Sequence, residues 1–448
     1  MSADSNEILN IERVEGTSMR LNFKNIGELK NVDLKIDGLT VIAGENNTGK
    51  STINKTLYAA FNSLNNLNEH VFKDKINSFL TKLQEELLSN SNGDDFRETF
   101  YIKDIFRDKE FNNSIDKIIM STKLDKVKDE LENFIKKELD KRDLMISFDN
   151  IKKEVFDIAP YLEINDNDIK KKISSKMFGS EFNHQINNIY NNEPAEVSLE
   201  IKDSIITYKI QSNLVTEIKN AISLDLQAVY VDDLYSIDNV KMESGKKLFE
   251  KNHKTALIDS FFNFYDSTIT LEILKENRLN KIYSIVNDIA KGEVFFDVRN
   301  GIRYKEKSES EDFNNGFSFS NLSAGLKSFI LIKELILNGT LKDNGTIIFD
   351  EPEIHLHPEW QIKLAELIVL IQKEYNMHIV LTTHSPYFLY ALEVFSTKYG
   401  ISEKTNYYFS KKTKTNISID NIGKNLEVIY SVLNKPFQLL EDLTYDLY

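Results

Sequence analysis

The chain has no cysteine, which excludes disulfides, thiolate metal sites and cysteine nucleophiles and suits a reducing compartment. Proline and glycine are scarce, 6 and 16 in 448 residues, so two or three packed units are expected without a floppy linker. No apolar run approaches the roughly 18 residues that a membrane span requires. The opening "MSADSNEILNIERVEG" lacks the basic start and apolar stretch of a signal peptide, so a cytoplasmic protein with no membrane partner is expected. Positive charge is in deficit as well: 56 Lys plus Arg stand against 70 Asp plus Glu, a net charge of -14. That balance disfavours wholesale nucleic-acid coating and leaves room only for a local basic groove. What is present, 41% hydrophobic and 28% charged residues, is the stock of a soluble globular protein.

Met19 to Ile36 alternates apolar and polar residues around a glycine, which predicts an antiparallel hairpin leading into a buried strand over Leu39 to Ala43. After Ser51 the pattern turns helical. Ile76, Leu80, Leu83 and Leu87 follow the 4-3-4 spacing of a coiled-coil seam, and Leu124, Val127, Leu131 and Phe134 the 3-4-3 spacing. Neither run lasts three clean heptads, so a compact helical insertion is expected, with a coiled-coil dimerisation arm as the alternative. Period two returns over Glu196 to Ile210, Leu226 to Val231 reads as a buried strand, and Asn300-Gly301 marks a hairpin between β-rich runs. Helix, strand, helix, strand and helix then alternate to about Phe395, which is α/β order. Ile422 to Leu440 reads as one amphipathic helix able to dock a partner, with Glu441, Asp442 and Asp446 in a terminal segment that no strand fixes.

Gly44-Glu45-Asn46-Asn47-Thr48-Gly49-Lys50-Ser51 matches the full phosphate-loop pattern between a strand and a helix. In such a loop backbone N–H groups wrap a β-phosphate at the positive end of the helix, Lys50 reaches the β/γ-phosphates, and Ser51 ligates Mg²⁺. The pattern therefore calls for ATP and Mg²⁺. Thr346 to Phe349 is an apolar strand whose end presents Asp350, placed to hold Mg²⁺ through water, and Glu351, placed to polarise an attacking water. His355 and His357 follow in a loop closed by Pro358, and two imidazoles near carboxylates leave a transition-metal site as the rival. Ser323 and Gly325 open a helix in "NLSAGLKSF", either as an ordinary N-cap or as a second anion site completed across a dimer interface. His384, at the carboxyl end of the strand "HIVLTT", can reach a γ-phosphate there or be a satisfied core histidine.

Together these stretches resemble ABC-type ATPases of the SMC-like and OLD-like branch, AAA-family proteins with "DEPExHLHP" and "TTHSP" signatures, over about Leu21 to Thr52 and Leu226 to Phe395. The resemblance implies an α/β ATPase head, a mixed sheet with flanking helices, that carries a helical insertion. It makes Gly44 to Thr52 the Walker A loop, with Gly44, Asn46, Asn47, Thr48, Gly49, Lys50, Ser51 and Thr52 on the nucleotide. It makes Ser323 and Gly325 the signature, Asp350-Glu351 Walker B with Ser51 and Asp350 on the metal, and Glu351 and His384 the catalytic pair. His355 and His357 then fall at a dimer interface, and Phe23, Lys24 and Asn25 at the nucleotide edge. The expected organisation is an ATPase lobe over residues 1–60, the insertion over 61–195, returning strands, helices and a hairpin over 196–320, the signature, Walker B and histidine lobe over 321–395, and an extension over 396–448. Two departures stand out. The interval from Ser51 to Ser323 is too short for very long antiparallel arms, and Asp232-Asp233 stands where a glutamine loop is expected. No Toprim nuclease pattern follows His384, so the chain is similar to ATPase subunits of bacterial anti-phage systems of the Septu-like, retron-associated and PARIS-like kinds. The implied partners are a second copy through the heads and a separate effector nuclease or toxin. A DNA repair or recombination ATPase that grips DNA is the alternative, and a nucleotide-bound scaffold a third class.

Overall fold

A computed structural model describes residues 18–90, 96–121, 124–141, 159–191, 193–232, 250–262, 278–297, 301–306, 316–413 and 417–445. The chain divides into two compact units, Met1–Asn65 with Lys171–Tyr448, and Asn66–Lys170.

The smaller unit is helical, with Leu67–Asn90, Phe96–Arg107, Lys109–Ser121 and Leu124–Asp140 as its main helices. The seam residues Ile76, Leu80, Leu83 and Leu87 are buried in one cluster with Ile102, Ile105, Phe111, Ile115, Leu131, Ile135 and Leu139. Phe134 stacks on Phe111 at 5.5 Å between ring centroids. The side chains of Leu124 and Val127 lie outside the described residues. Each fully buried leucine, isoleucine or phenylalanine contributes on the order of 1.5–3 kcal/mol, so the seam is used up in holding this body together.

The larger unit is built on three sheets. β1 (Met19–Ile26) and β2 (Leu29–Ile36) form the expected hairpin. They join β4 (Ala195–Ile201), β5 (Ser204–Gln211) and β6 (Leu214–Lys219) in an antiparallel sheet of order β2-β1-β4-β5-β6. Alternate residues of β1 and β4 are buried, as one-sided packing demands. β7 (Ala228–Val231), β11 (Thr346–Asp350), β12 (His378–Thr383), β3 (Leu39–Gly44) and β13 (Thr405–Lys412) run parallel in the central six-stranded sheet, with β14 (Ile417–Asn421) antiparallel at its edge. Every residue of β3 and β12 is buried, the signature of parallel strands covered on both faces. β8 (Glu293–Asp297), β9 (Gly301–Lys305) and β10 (Phe317–Ser318) make a small third sheet.

The helices after β11 and β12 begin where sequence chemistry starts them. His357 precedes Pro358 at the head of the Pro358–Tyr375 helix, and Ser385, whose Oγ accepts the Phe388 N–H, precedes Pro386 at the head of Pro386–Lys398. The fold is thus α/β, a mixed sheet with flanking helices. The single helix expected over Ile422 to Leu440 is replaced by Glu427–Leu433 and Lys435–Tyr445. Pro436 lacks the N–H that would continue the first helix, and Gly423 (φ 57°) is left-handed, which keeps the chain out of a helix before Glu427. β13 and β14 were not expected at all.

Candidate functional site

β3 delivers the chain to the phosphate loop at Gly44, and the Lys50–Asn62 helix leaves it. β13 runs beside β3 with Ser410 opposite Gly44, and a Cβ at Gly44 would lie 2.1 Å from the Ser410 carbonyl oxygen, so only glycine fits. The Ser410 hydroxyl donates to the Thr48 carbonyl at 2.7 Å, and the Thr48 hydroxyl donates to the Glu45 carbonyl at 2.8 Å. These bonds set the loop's curvature. Asn47 (φ 60°) and Gly49 (φ 80°) are left-handed, and the helix starts with no side-chain cap and no acidic residue in its first turn. Its first N–H groups and positive end are therefore left for an anion. Asn46 and Ser51 are exposed at the loop and Thr52 is half-buried.

Lys50 is almost wholly buried, at 4% exposure. Its Nζ donates to the carbonyls of Gly44 and Glu45, both at 2.9 Å, and stands 3.1 Å from Glu351 Oε1. Glu351 reaches it because its backbone is left-handed (φ 50°), a conformation costing on the order of 1–3 kcal/mol in a non-glycine residue. Its N–H is shared between the Thr382 carbonyl and hydroxyl, both at 3.1 Å. The other carboxylate oxygen of Glu351 stands 3.2 Å from His384 Nδ1. Lys50, Glu351 and His384 thus form one continuous line of polar groups across the carboxyl ends of β3, β11 and β12.

Asp350 points from the end of β11 with both oxygens held. The Thr382 hydroxyl donates to Oδ1, and the Tyr230 hydroxyl donates to Oδ2 at 2.9 Å. Each oxygen keeps a lone pair for a metal-bound water. Just behind, Glu353 is 2% exposed and accepts from the Thr383 hydroxyl at 2.5 Å, while that hydroxyl also receives the Ser385 N–H at 3.0 Å. Burial pushes the Glu353 carboxyl up to about 7 against the opposing pull of the Thr383 hydrogen bond. The Glu353–Thr383–Ser385 chain fixes the turn that presents His384.

Ser323 is exposed, and its Oγ accepts the Leu326 N–H at 3.3 Å as the N-cap of the Ala324–Leu337 helix. Gly325 is buried, and a Cβ there would lie 2.9 Å from the Trp360 ring and 3.0 Å from Leu356. Among the described residues no hydrogen bond joins Ser323 or Gly325 to the phosphate loop. His357 accepts the Glu359 N–H at 3.4 Å as a helix cap, and His355 (φ 69°) lines a cavity of about 240 Å³ with Asp232, Ala324, Ser328 and Glu351. The two imidazoles therefore serve different local structures. Phe23 is turned into the β1 sheet core at 2% exposure, leaving Lys24 as the exposed member of that trio.

The residues at the loop fit a nucleotide and its cation. The uncapped helix start and the buried ammonium are anion-binding chemistry, and Ser51 with Asp350 is the sparse oxygen set that Mg²⁺ uses when phosphates and waters complete its shell. Ser410, Tyr230 and the Thr382 hydroxyl escaped the sequence reading. Thr382 and Tyr230 are register neighbours of β11 and could be found only once strand order was known. Ser410 belongs to no motif.

Over 135 residues the chain is 35% identical to the Septu protein PtuA of Bacillus thuringiensis, covering 26% of this chain and 34% of that protein. It is 27% identical over 411 residues to the endonuclease GajA of Bacillus cereus strain HuB5-5, covering 82% of this chain and 55% of that protein. It thus spans about a third of the first relative's length and about half of the second's. A solved SMC head bound to the C-winged helix domain of ScpA is similar over 91% of this chain and 98% of that chain, with a TM-score of 0.42 and 11% identity. The family model of the AAA ATPase domain matches residues 19–389, most of the sequence, and the chain belongs to that family.

Proposed function

We propose that the chain binds Mg-ATP at the loop Gly44 to Thr52 and hydrolyses it, with two copies closing around the nucleotide and the cycle controlling a separate effector in anti-phage defence. The observation that carries this is the line Lys50–Glu351–His384, 3.1 and 3.2 Å between neighbours, lying across an uncapped helix start beside a carboxylate already held by two donors. Ser51, and Asp350 through water, would hold Mg²⁺, which would supply positive charge to the phosphate oxygens. Lys50 keeps its two carbonyl partners and exchanges Glu351 for a phosphate oxygen. Glu351, released, accepts a hydrogen bond from water and takes its proton, while His384 donates toward the phosphate. Ser323 and Gly325, which no hydrogen bond among the described residues joins to the loop, act on the nucleotide of a second copy.

The defence assignment rests on relatedness to the Septu protein and to the endonuclease, whose names describe those proteins. A partner protein as the target is supported by the net charge of -14 and by Phe437, Leu439 and Leu440, each more than 60% exposed on the Lys435–Tyr445 helix. The test is phosphate release together with light scattering. Wild type should release phosphate only with Mg²⁺, Asp350→Asn should not, and ATP should raise the mass in solution. Phosphate release that survives Asp350→Asn rejects the assignment.

A further inference from the structure

We propose that Tyr230 and His253 are positioning residues for the carboxylate of Asp350, with Glu181 and Asp232 holding His253. The inference rests on the reading of Asp350 as the metal-holding acid.

The register supplies the first step. β7 and β11 are parallel with Tyr230 opposite Ile348, and Asp350 is two residues on, so Tyr230 and Asp350 project from the same face of the sheet. The phenol is long enough to cross the one-pleat offset, and its hydroxyl meets Oδ2 at 2.9 Å. Tyr230 is 1% exposed, and its hydroxyl is the donor in that bond, since the carboxylate can only accept.

The tyrosine ring is fixed in turn. The His253 imidazole stacks on it at 4.1 Å and 21° between planes, and both rings pack on Tyr58. His253, the first residue of the His253–Phe261 helix, is held at both ring nitrogens, Nδ1 at 2.5 Å from Glu181 and Nε2 at 2.8 Å from Asp232. The Glu181 carboxylate also receives the His253 N–H at 3.1 Å, and Asp232 lies 3.3 Å from Lys254. Burial lowers the imidazole's proton affinity, but the neighbouring carboxylates of Asp232 and Glu181, which can only accept, outweigh it and raise the group to about 9, so at neutral pH it is an imidazolium between two carboxylates.

Burying such a triad costs desolvation that well-packed apolar residues would avoid. Packing alone does not call for it. What it provides is a ring whose plane and height are fixed from two sides, on which Tyr230 lies flat with its hydroxyl aimed at Asp350. Asp232 also lines the cavity that Glu351 faces, at the place where the family resemblance leads one to expect a glutamine. The Oδ2 of that carboxylate is committed to His253 and Lys254, and Asp350 is the acid that Tyr230 orients.

The test is a series on the full chain: wild type, Asp350→Asn, Tyr230→Phe, His253→Gln and the Tyr230→Phe/His253→Gln pair. Nucleotide affinity is measured with excess chelator and across a Mg²⁺ titration, with thermal melting as the control for folding. Loss of an outer partner of a metal ligand typically weakens metal binding about 10- to 100-fold, so Tyr230→Phe should raise the Mg²⁺ concentration for half-effect about 10-fold and leave the chelator affinity unchanged. His253→Gln should move it the same way by less, and the pair should do no more than Tyr230→Phe alone, since His253 acts through that hydroxyl. An effect of Mg²⁺ in wild type that Tyr230→Phe leaves unchanged overturns this inference alone, even where the melting point falls. No effect of Mg²⁺ in wild type, or none lost in Asp350→Asn, overturns the metal-holding assignment with it. Should His253→Gln fail to fold, Tyr230→Phe, which removes one oxygen and no ring, decides the matter.

Discussion

Replacing Glu351 by glutamine should separate the resting protein, its nucleotide affinity and its turnover. At 3.1 Å and an effective dielectric near 20, the attraction between Lys50 and Glu351 is roughly 5 kcal/mol. Taking the ammonium out of water offsets most of it, and a hydrogen bond to a charged group is worth about 1.5–3 kcal/mol net. Glutamine keeps the oxygen but not the charge, so the ligand-free protein should lose about 1–2 kcal/mol. A domain of 150–250 residues shifts by roughly 2–4 °C per kcal/mol, and this larger unit by less, so the melting temperature should fall by about 1–4 °C. Glu351 is not a phosphate contact in this account, and Lys50 is freed from its counter-charge, so Mg-ATP affinity should hold or rise. Turnover should fall by about 10²–10⁴, the usual worth of a general base. Scanning calorimetry without ligand, titration calorimetry with ATP and a phosphate-release assay read the three quantities. Unchanged melting together with wild-type turnover would refute both the ion pair and the role given to Glu351.

Gly44→Ala puts a methyl 2.1 Å from the Ser410 carbonyl, so β3 and β13 must part, and ATP affinity should fall along with stability; a variant that binds as tightly as wild type contradicts the need for that approach. Glu353 titrates near 7 in the folded protein against 4.5 ordinarily, so between those values the folded state binds the extra proton and stability must decline as pH rises from about 4.5 to 7. Glu353→Gln should flatten that slope in a melting series, and an unaltered slope would show that Glu353 does not titrate there. His253 runs the other way in cause: its folded value near 9 lies above the ordinary 6.5, so its contribution is complete below about 6.5 and is lost as pH rises through 9. His253→Gln should remove that alkaline decline, and a decline that persists would assign it elsewhere.

The parts of the molecule legible in the sequence are those where backbone demands are local. Gly44 and Gly49 sit where chain geometry tolerates little else, the β-branched and apolar stretches of β3 and β12 declare buried strands, and the Pro358 and Pro386 helix starts are written in their caps. The seam Ile76 to Leu87 was ambiguous because the same spacing serves a coiled coil and a self-packed bundle, and only the partners Ile102, Phe111 and Ile135 decide between them. β13 was hidden because "TNYYFSKK" has polar residues at both ends, yet its register beside β3 puts Ser410 under the phosphate loop. Tyr230 and His253 were invisible for a related reason. Their meaning lies in which strand neighbours β11 and in the return of a helix from beyond it, and neither is a property of sequence spacing.

The central claim is that the loop from Gly44 to Thr52 holds the phosphates of Mg-ATP, and titration calorimetry of wild type against Lys50→Ala tests it most directly. Lys50 spends its ammonium on two loop carbonyls and Glu351 in a pocket almost closed to water, so its removal should take away a charge-assisted phosphate contact and lower affinity at least 10-fold, roughly 1.4 kcal/mol or more, while melting shows the chain still folded. Equal affinity for Mg-ATP in the two proteins, or no binding by wild type, would contradict the account.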